Sequence, residues 1–402
     1  MTKHKLSIII PCYNCTSTLE EALISVYTQN FTTPFEVIMV NDGSTDNTLD
    51  LIKVLAKKYP HIVFYSHDKN KGGGATRNTG ISKSTGDLIY CLDSDNIFAP
   101  NTMQKMIDYI DEKKCDAVAF YERRFFVNKN KEKYIPQYYK IGVRAVEIED
   151  FFGKEPVLLD NFLFTKDSYY KTDGYPENHG FDTQCFELRY LASGGRVYFC
   201  PDTSFYHRQI ADTKSYFERV YESGEFSKNL YLIYEDIFFL FSPILREKII
   251  QYDIFKNSSM ESINKVVQDF SINYKEDFFI EDYRRYLIPN GYEMFVKDNL
   301  ESTELTDLFC FAVYYYKNND YDKALDIYKK IVGMEMYSKI VYYNILRVFT
   351  AISLKDNKVE VEKKVLNLIG SMQVKIPDSM RVNVFIRAIR KLKRIVKKIL
   401  RK

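Results

Sequence analysis

Four short apolar runs stand out in the first quarter of the chain, at residues 6–10, 35–40, 62–65 and 88–92. They are rich in Ile, Val and Tyr and continuous rather than alternating, the pattern of strands buried on both faces of a parallel sheet. Helical spacing fills the gaps. Ala22, Leu23 and Val26 follow Ser17 and Glu20, which are spaced as a capping box. Leu49, Ile52, Leu55 and Tyr59 recur behind the Ser44/Asp46 region, a candidate cap. Strands alternating with helices predict an α/β layer structure, in which ligands bind outside the carboxyl ends of the strands.

The pattern then changes. Residues 226–300 are aromatic-rich and read as a helical connecting region, and residues 301–380 read as helix pairs. There Ala312, Tyr315, Ala324 and Tyr328 fit a tetratricopeptide repeat as well as they fit two packed helices with a Tyr-rich core. A single repeat cannot bury its own face. In residues 381–402, Phe385, Ile386, Ile389, Leu392, Val396, Ile399 and Leu400 recur at helical spacing among ten Lys and Arg. The expected organisation is a domain over 1–225, the two helical regions, and a basic amphipathic C-terminal helix.

Charge sharpens that division. The net charge of +3 comes from 57 basic and 54 acidic residues. Setting the ten basic tail residues aside leaves 47 against 54, a body of about −7. Local basicity argues against a nucleic-acid partner and for a tail with its own anionic partner. Such a helix can lie on an anionic membrane surface or pack against the helical region. The seven cysteines include Cys12 and Cys15 as a CxxC, without the second pair a zinc site needs, and read as reduced thiols. The apolar start is far shorter than a signal-peptide core, and Glu235 and Asp236 interrupt the apolar segment 230–245. The expected location is cytoplasmic, with the tail as the peripheral-membrane candidate.

The candidate chemistry lies where the strands end. Pro11, Cys12, Tyr13 and Asn14 follow the first, Asn41-Asp42-Gly43-Ser44-Thr45-Asp46 the second, and Asp93-Ser94-Asp95 the fourth. If the strand continues past Leu92, Asp93 and Asp95 point the same way. Two carboxylates converging in a crevice suit Mg²⁺ or Mn²⁺, although Asp-Ser-Asp-Asn also makes a good turn. Asp42 can accept an imide N–H and Tyr13 can stack on a base; the alternative is a loop and helix cap. Arg77, in the run Lys71-Gly72-Gly73-Gly74-Ala75-Thr76-Arg77, offers a cation near a diphosphate. That run is not a GxGxxG after the first strand, which argues against a dinucleotide-dependent oxidoreductase.

The strings SIIIPCYN, FEVIMVNDGSTDNT and KGGGATRNTGISKSTGDLIYCLDSDN, in this order and spacing, strongly resemble the family 2 glycosyltransferases. The resemblance is close over residues 5–105 and looser over 155–210. It implies the GT-A fold, an α/β and mostly parallel architecture. It also implies a nucleotide-diphospho-sugar donor, usually UDP-linked, and a divalent metal, Mn²⁺ or Mg²⁺. It places Pro11, Tyr13, Asn14, Asp42, Arg77 and Asp93 at the nucleotide, and Asp93, Asp95 and His207 at the metal. Gly174-Tyr175-Pro176-Glu177 stands where relatives carry a Gly-aromatic-Asp-Glu stretch, and Asp182-Thr183 where they carry a Glu-Asp pair before Arg189. An inverting transfer needs one carboxylate to deprotonate the acceptor hydroxyl. Asp182 is the candidate, with Glu187 in reserve; the alternative for Asp182 is the N-cap of its helix. His179 is a further acceptor-side candidate.

The expected function is therefore sugar transfer to a hydroxyl of a glycan, lipid-linked or cell-surface acceptor, with a homo-oligomer left open. The rival is an inactive transferase-like scaffold whose helical region binds protein, favoured by the altered Asp182-Thr183 pair and opposed by Asp93-Ser94-Asp95. A sugar nucleotidyltransferase would need a Gly-rich loop after the first strand, which is absent.

Overall fold

The computed structural model describes residues 4–126, 132–136, 141–142, 144–152, 156–157, 159–177, 180–209, 216–254, 262–334 and 338–355. The basic segment 381–402 lies outside these residues. The chain divides into two units, Met1–Asp236 with Leu287–Pro289, and Ile237–Tyr286 with Asn290–Lys402.

The first unit runs β1 (Leu6–Cys12), α1 (Leu19–Tyr27), β2 (Phe35–Asn41), α2 (Thr48–Lys58), β3 (Ile62–Ser66), α3 (Gly73–Lys83) and β4 (Leu88–Cys91). There follow β5 (Ile97–Phe98), α4 (Thr102–Lys113), β6 (Ala117–Phe126), β7 (Glu132–Pro136), β8 (Leu163–Thr165) and α5 (Lys166–Tyr169). The unit closes with α6 (Asp182–Ala192), β9 (Val197–Arg208), α7 (Tyr216–Glu222) and α8 (Phe226–Glu235). The strands form one nine-stranded sheet in the order β3-β2-β1-β4-β8-β6-β9-β5, with β7 added to β6. β1 pairs in parallel with β2 and β4, β2 with β3, and β6 with β9. The short strands β5, β7 and β8 supply the antiparallel pairs. This mostly parallel sheet is the α/β architecture expected.

The continuous apolar runs explain the middle of the sheet. Leu6, Ile8, Ile9 and Ile10 of β1 are completely buried, as are Leu88, Ile89 and Cys91 of β4. Full burial of such a side chain contributes about 1.5–3 kcal/mol. β3 departs from the expectation of burial on both faces. It is the sheet edge, and Val63 and Phe64 are 45% and 37% exposed.

The Ser17/Glu20 capping box does not form either. α1 begins at Leu19, and the carbonyl of Cys15 accepts the N–H groups of Thr18 and Leu19 in its place. At α2, by contrast, the Asp46 carboxylate accepts the Thr48 N–H at 3.0 Å.

The second unit is helical: α9 (Pro243–Gln251), α10 (Ile263–Asn273), α11 (Gly291–Asp298), α12 (Leu305–Lys317), α13 (Tyr321–Gly333) and α14 (Lys339–Lys355). α12 and α13 pack on each other and bury Ala312, Ala324 and Tyr328, while Tyr315 is half-buried. Asp320 caps α13, accepting the Lys323 N–H. Arg246 of α9 is buried and pairs with Asp307 of α12 at 2.7 Å. No helix among the described residues is long and apolar enough to cross a membrane.

Candidate active site

Parallel pairing brings the carboxyl ends of β1, β2 and β4 to one edge of the sheet. The Asp42 N–H donates to the Cys12 carbonyl at 2.8 Å, so the first two strand ends are joined directly. Asn14, left-handed at φ +50°, spans the same junction. Its N–H donates to Ser44 Oγ, and its Oδ1 accepts the Thr45 N–H at 2.8 Å. Asn14 thus braces two loops. Pro11 lies within β1, in register with Val40 of β2. Beside it Tyr13 is 48% exposed, its ring free to take a flat partner.

Asp42 is buried and its carboxylate is heavily used. Oδ1 accepts from His67 Nδ1 and the Lys71 N–H, both at 2.8 Å, and Oδ2 accepts the Gly72 N–H at 2.9 Å. A carboxylate offers about four lone-pair sites. Three are filled here, which leaves one acceptor position on Oδ2.

Past β4 the chain does not continue as a strand. The Asn96 N–H returns to the Asp93 carbonyl at 3.0 Å, so Asp93–Asn96 is a turn, and the same-side argument for Asp93 and Asp95 fails. The two carboxylates are neighbours all the same. Burial, and then the charge of Asp93, push the Asp95 carboxyl up to about 6. Arg208 of β9 braces this turn, donating from Nε to the Asp95 carbonyl at 3.1 Å and from its N–H to Asn96 Oδ1.

Arg77 joins the two halves of the site. It lies on α3, its side chain 8% exposed, and its guanidinium forks. One nitrogen donates to Asp93 Oδ1 at 2.6 Å and the other to Asp182 Oδ2 at 2.5 Å. The ring of Tyr175 lies 5.5 Å from the guanidinium carbon and stacks on Phe186 of α6. Asp93 Oδ2 is held from other directions, by Asn161 Nδ2 at 3.0 Å and Asn96 Nδ2 at 3.2 Å. Asp182 is not an N-cap. It is the first residue of α6, after Phe181, which is buried and left-handed at φ +59°.

The glycine run has a packing role here. A Cβ on Gly73 would fall 2.7 Å from both Asp182 Oδ2 and Arg77, and one on Gly74 only 1.9 Å from the Pro176 carbonyl oxygen. The start of α3 therefore touches Pro176 and Asp182 without room for a methyl group. A Gly74→Ala variant should lose about 1–3 kcal/mol of stability, as overpacking does. Urea unfolding measures it, and an unchanged midpoint would contradict this tight approach.

Glu187 lies elsewhere. It is completely buried, its Oε2 accepting the Leu159 N–H at 3.4 Å, and burial pushes its carboxyl well above the usual range. It belongs to a polar cluster behind the turn with Asp160 and Arg123, which pair at 2.7 Å. His207 stands edge-on to Phe125, and burial lowers its pKa. Among the described residues no three His, Cys, Asp or Glu side chains converge as a metal site, while the charges of Asp160 and Asp93 both act on His207. His179 lies outside the described residues.

Asn161, Arg208 and His67 carried no sequence reading, and Asn96 was read only as the end of the Asp-Ser-Asp-Asn turn that forms here. Nothing local marks Asn161, which reaches Asp93 from 68 residues away. His67 was within reach, because it follows β3 as Asp42 follows β2.

Residues 7–171 match the family described as Glycosyl transferase family 2. An uncharacterized glycosyltransferase of Escherichia coli K12, YibD, is 35% identical over 119 residues, 28% of this chain and 34% of that protein. A poly(ribitol-phosphate) beta-glucosyltransferase of Bacillus spizizenii is 34% identical over 114 residues, 28% of this chain and 18% of that protein. The chain thus spans a third or less of these relatives. Among solved structures, S. aureus TarS 1–349 in complex with UDP-GlcNAc aligns with a TM-score of 0.48 at 18% identity, covering 82% of this chain and 92% of that one. The chain carries a glycosyl transferase family 2 domain over residues 7–171.

Proposed function

We propose that this chain transfers a sugar, with inversion, from a UDP-sugar to a hydroxyl of a glycan, lipid-linked or cell-surface acceptor. The observation that carries the reading is the fork of Arg77, which ties Asp93, on the nucleotide side, to Asp182. A base that accepts a proton and a group that binds the leaving diphosphate must sit on opposite sides of one reacting carbon. Arg77 spans such a gap.

On this reading Tyr13 stacks on the uracil and the remaining acceptor position of Asp42 takes its imide N–H. A base without such an N–H finds no partner there, which favours uracil over cytosine. Asp182 takes the acceptor's proton on the oxygen Arg77 does not hold, as that hydroxyl attacks the anomeric carbon. Arg77 keeps Asp182 aimed, and adds positive charge near the diphosphate.

The residues at the turn fit a divalent cation. Asp95 is a half-buried carboxylate beside a second one, and burial, then the charge of Asp93, raise its pKa. Asp93 and Asp95 would hold the cation, with diphosphate oxygens completing its shell. Bound there, it would neutralise charge on the leaving diphosphate.

Thermal shift with a UDP-sugar panel, followed by UDP release, tests the reading. UDP with Mn²⁺ should raise Tm, since a ligand at 100 times its Kd adds about 2.7 kcal/mol. One UDP-sugar should support turnover, and Asp95→Ala or EDTA should remove turnover. Full transfer by Asp95→Ala in EDTA would remove the cation from the reading. No UDP binding or turnover with any donor would favour a non-catalytic scaffold.

A further inference from the structure

We infer that His67 is a positioning residue for the nucleotide side of the site, acting through Asp42; the inference rests on the donor reading above. The imidazole is 6% exposed and lies between two partners. Nδ1 is 2.8 Å from Asp42 Oδ1, and Nε2 is 3.0 Å from Thr79 Oγ1 on α3. An ionised carboxylate only accepts, so Nδ1 carries a proton and donates it to Asp42. The backbone repeats the tie, since the His67 N–H donates to the Asn41 carbonyl at 2.9 Å.

The consequence concerns where the free lone pair of Asp42 points. Lys71 and Gly72 hold the carboxylate from the side of α3, through backbone N–H groups that no substitution except proline removes. His67 is the third donor and the only side chain among them. With it, Oδ1 is saturated and Oδ2 keeps the single acceptor position assigned to the base. Without it, Lys71 and Gly72 still hold one oxygen each, but Oδ1 has an open acceptor position as well, and a water takes it. A base then meets a carboxylate with two open positions and a competing water instead of one defined acceptor, and affinity falls.

Thr79 gives the means to separate this role from plain bracing of α3. The Ala75 carbonyl of its own helix lies 2.9 Å from its hydroxyl, whose one proton goes either there or to Nε2. His67 thus has one contact that aims Asp42 and one that ties β3 to α3. An Asn side chain puts its amide nitrogen where Nδ1 stands, and a Gln side chain puts its own where Nε2 stands. His67→Asn therefore keeps the first contact and drops the second; His67→Gln does the reverse. Thr79→Val drops the second and leaves His67 on Asp42.

The experiment is calorimetric titration with UDP and Mn²⁺ on the full chain, with Tm recorded for each variant without nucleotide. His67→Gln should weaken UDP about 10-fold or more, the loss expected for a hydrogen bond to a charged group. His67→Asn and Thr79→Val should stay within about threefold of wild type, even if their Tm falls further than that of His67→Gln. A ranking of UDP affinity that follows Tm rather than the Asp42 contact would overturn the assignment and leave His67 a brace. So would equal affinities for the Asn and Gln variants. A wild-type chain that does not take up UDP would end the donor reading and this inference with it, an outcome distinct from the other two.

Discussion

Asp182→Asn should reduce sugar transfer by about 10²–10⁴-fold, the usual contribution of a general base, while UDP affinity changes little. The substitution is close to isosteric. The amide oxygen can still accept from Arg77, but it has no charge to take a proton. Glu187→Gln is the informative partner, since both carboxylates lie on α6 and the sequence holds Glu187 in reserve for Asp182. Glu187 is buried and burial favours its neutral form, so a neutral amide of the same shape should fold and turn over near the wild-type rate. Single-turnover rates for the two variants decide the matter. Loss of transfer in Glu187→Gln together with its retention in Asp182→Asn would exchange their roles.

Arg77→Met should cost the fold as well as the activity. Removing one partner of a buried ion pair costs about 3–5 kcal/mol, because the other charge is left uncompensated. Asp93 and Asp182 keep side-chain exposures of 30% and 19%, so water screens part of that loss, and about 2–3 kcal/mol is the expectation. Lys should not restore it, because one ammonium cannot fork to two carboxylates on different elements as a planar guanidinium does. Urea unfolding of Arg77→Met, Asp182→Asn and the double variant forms the test. The double variant should be less destabilised than the sum of the singles, since Asp182→Asn removes one of the stranded charges. Strict additivity would mean that the fork holds nothing together.

These two residues also mark how far the sequence could be read. The β1, β2 and β4 runs were legible because continuous apolar segments report burial on both faces, and their polar ends fell where the sheet topology required. Asp42 and Asp93 were found in this way. What their carboxylates touch was not legible. His67, Asn161 and Arg208 lie 25, 68 and 113 residues from the groups they hold, and no local spacing encodes such contacts. Arg77 was read as a free cation for a diphosphate, since the sequence does not show that α6 brings Asp182 back to it. Nothing in the glycine run itself shows that Asp182, Arg77 and Pro176 fill the space beside Gly73 and Gly74. Asp182 and Glu187 differed only in burial, which depends on how α6 rolls against Phe162 and Phe164.

One backbone angle has a consequence for how such a site is kept in order. Phe181 holds a left-handed conformation that costs an L-residue with a side chain roughly 1–2 kcal/mol. The ring is buried edge-on to Phe226, 5.6 Å away, so greasy packing rather than a helix cap keeps the bend. The direction of the first carboxylate of α6 is thus set by an aromatic plug one residue upstream. A change made around residue 181 would act on the aim of Asp182, the proposed base, before it acted on any substrate.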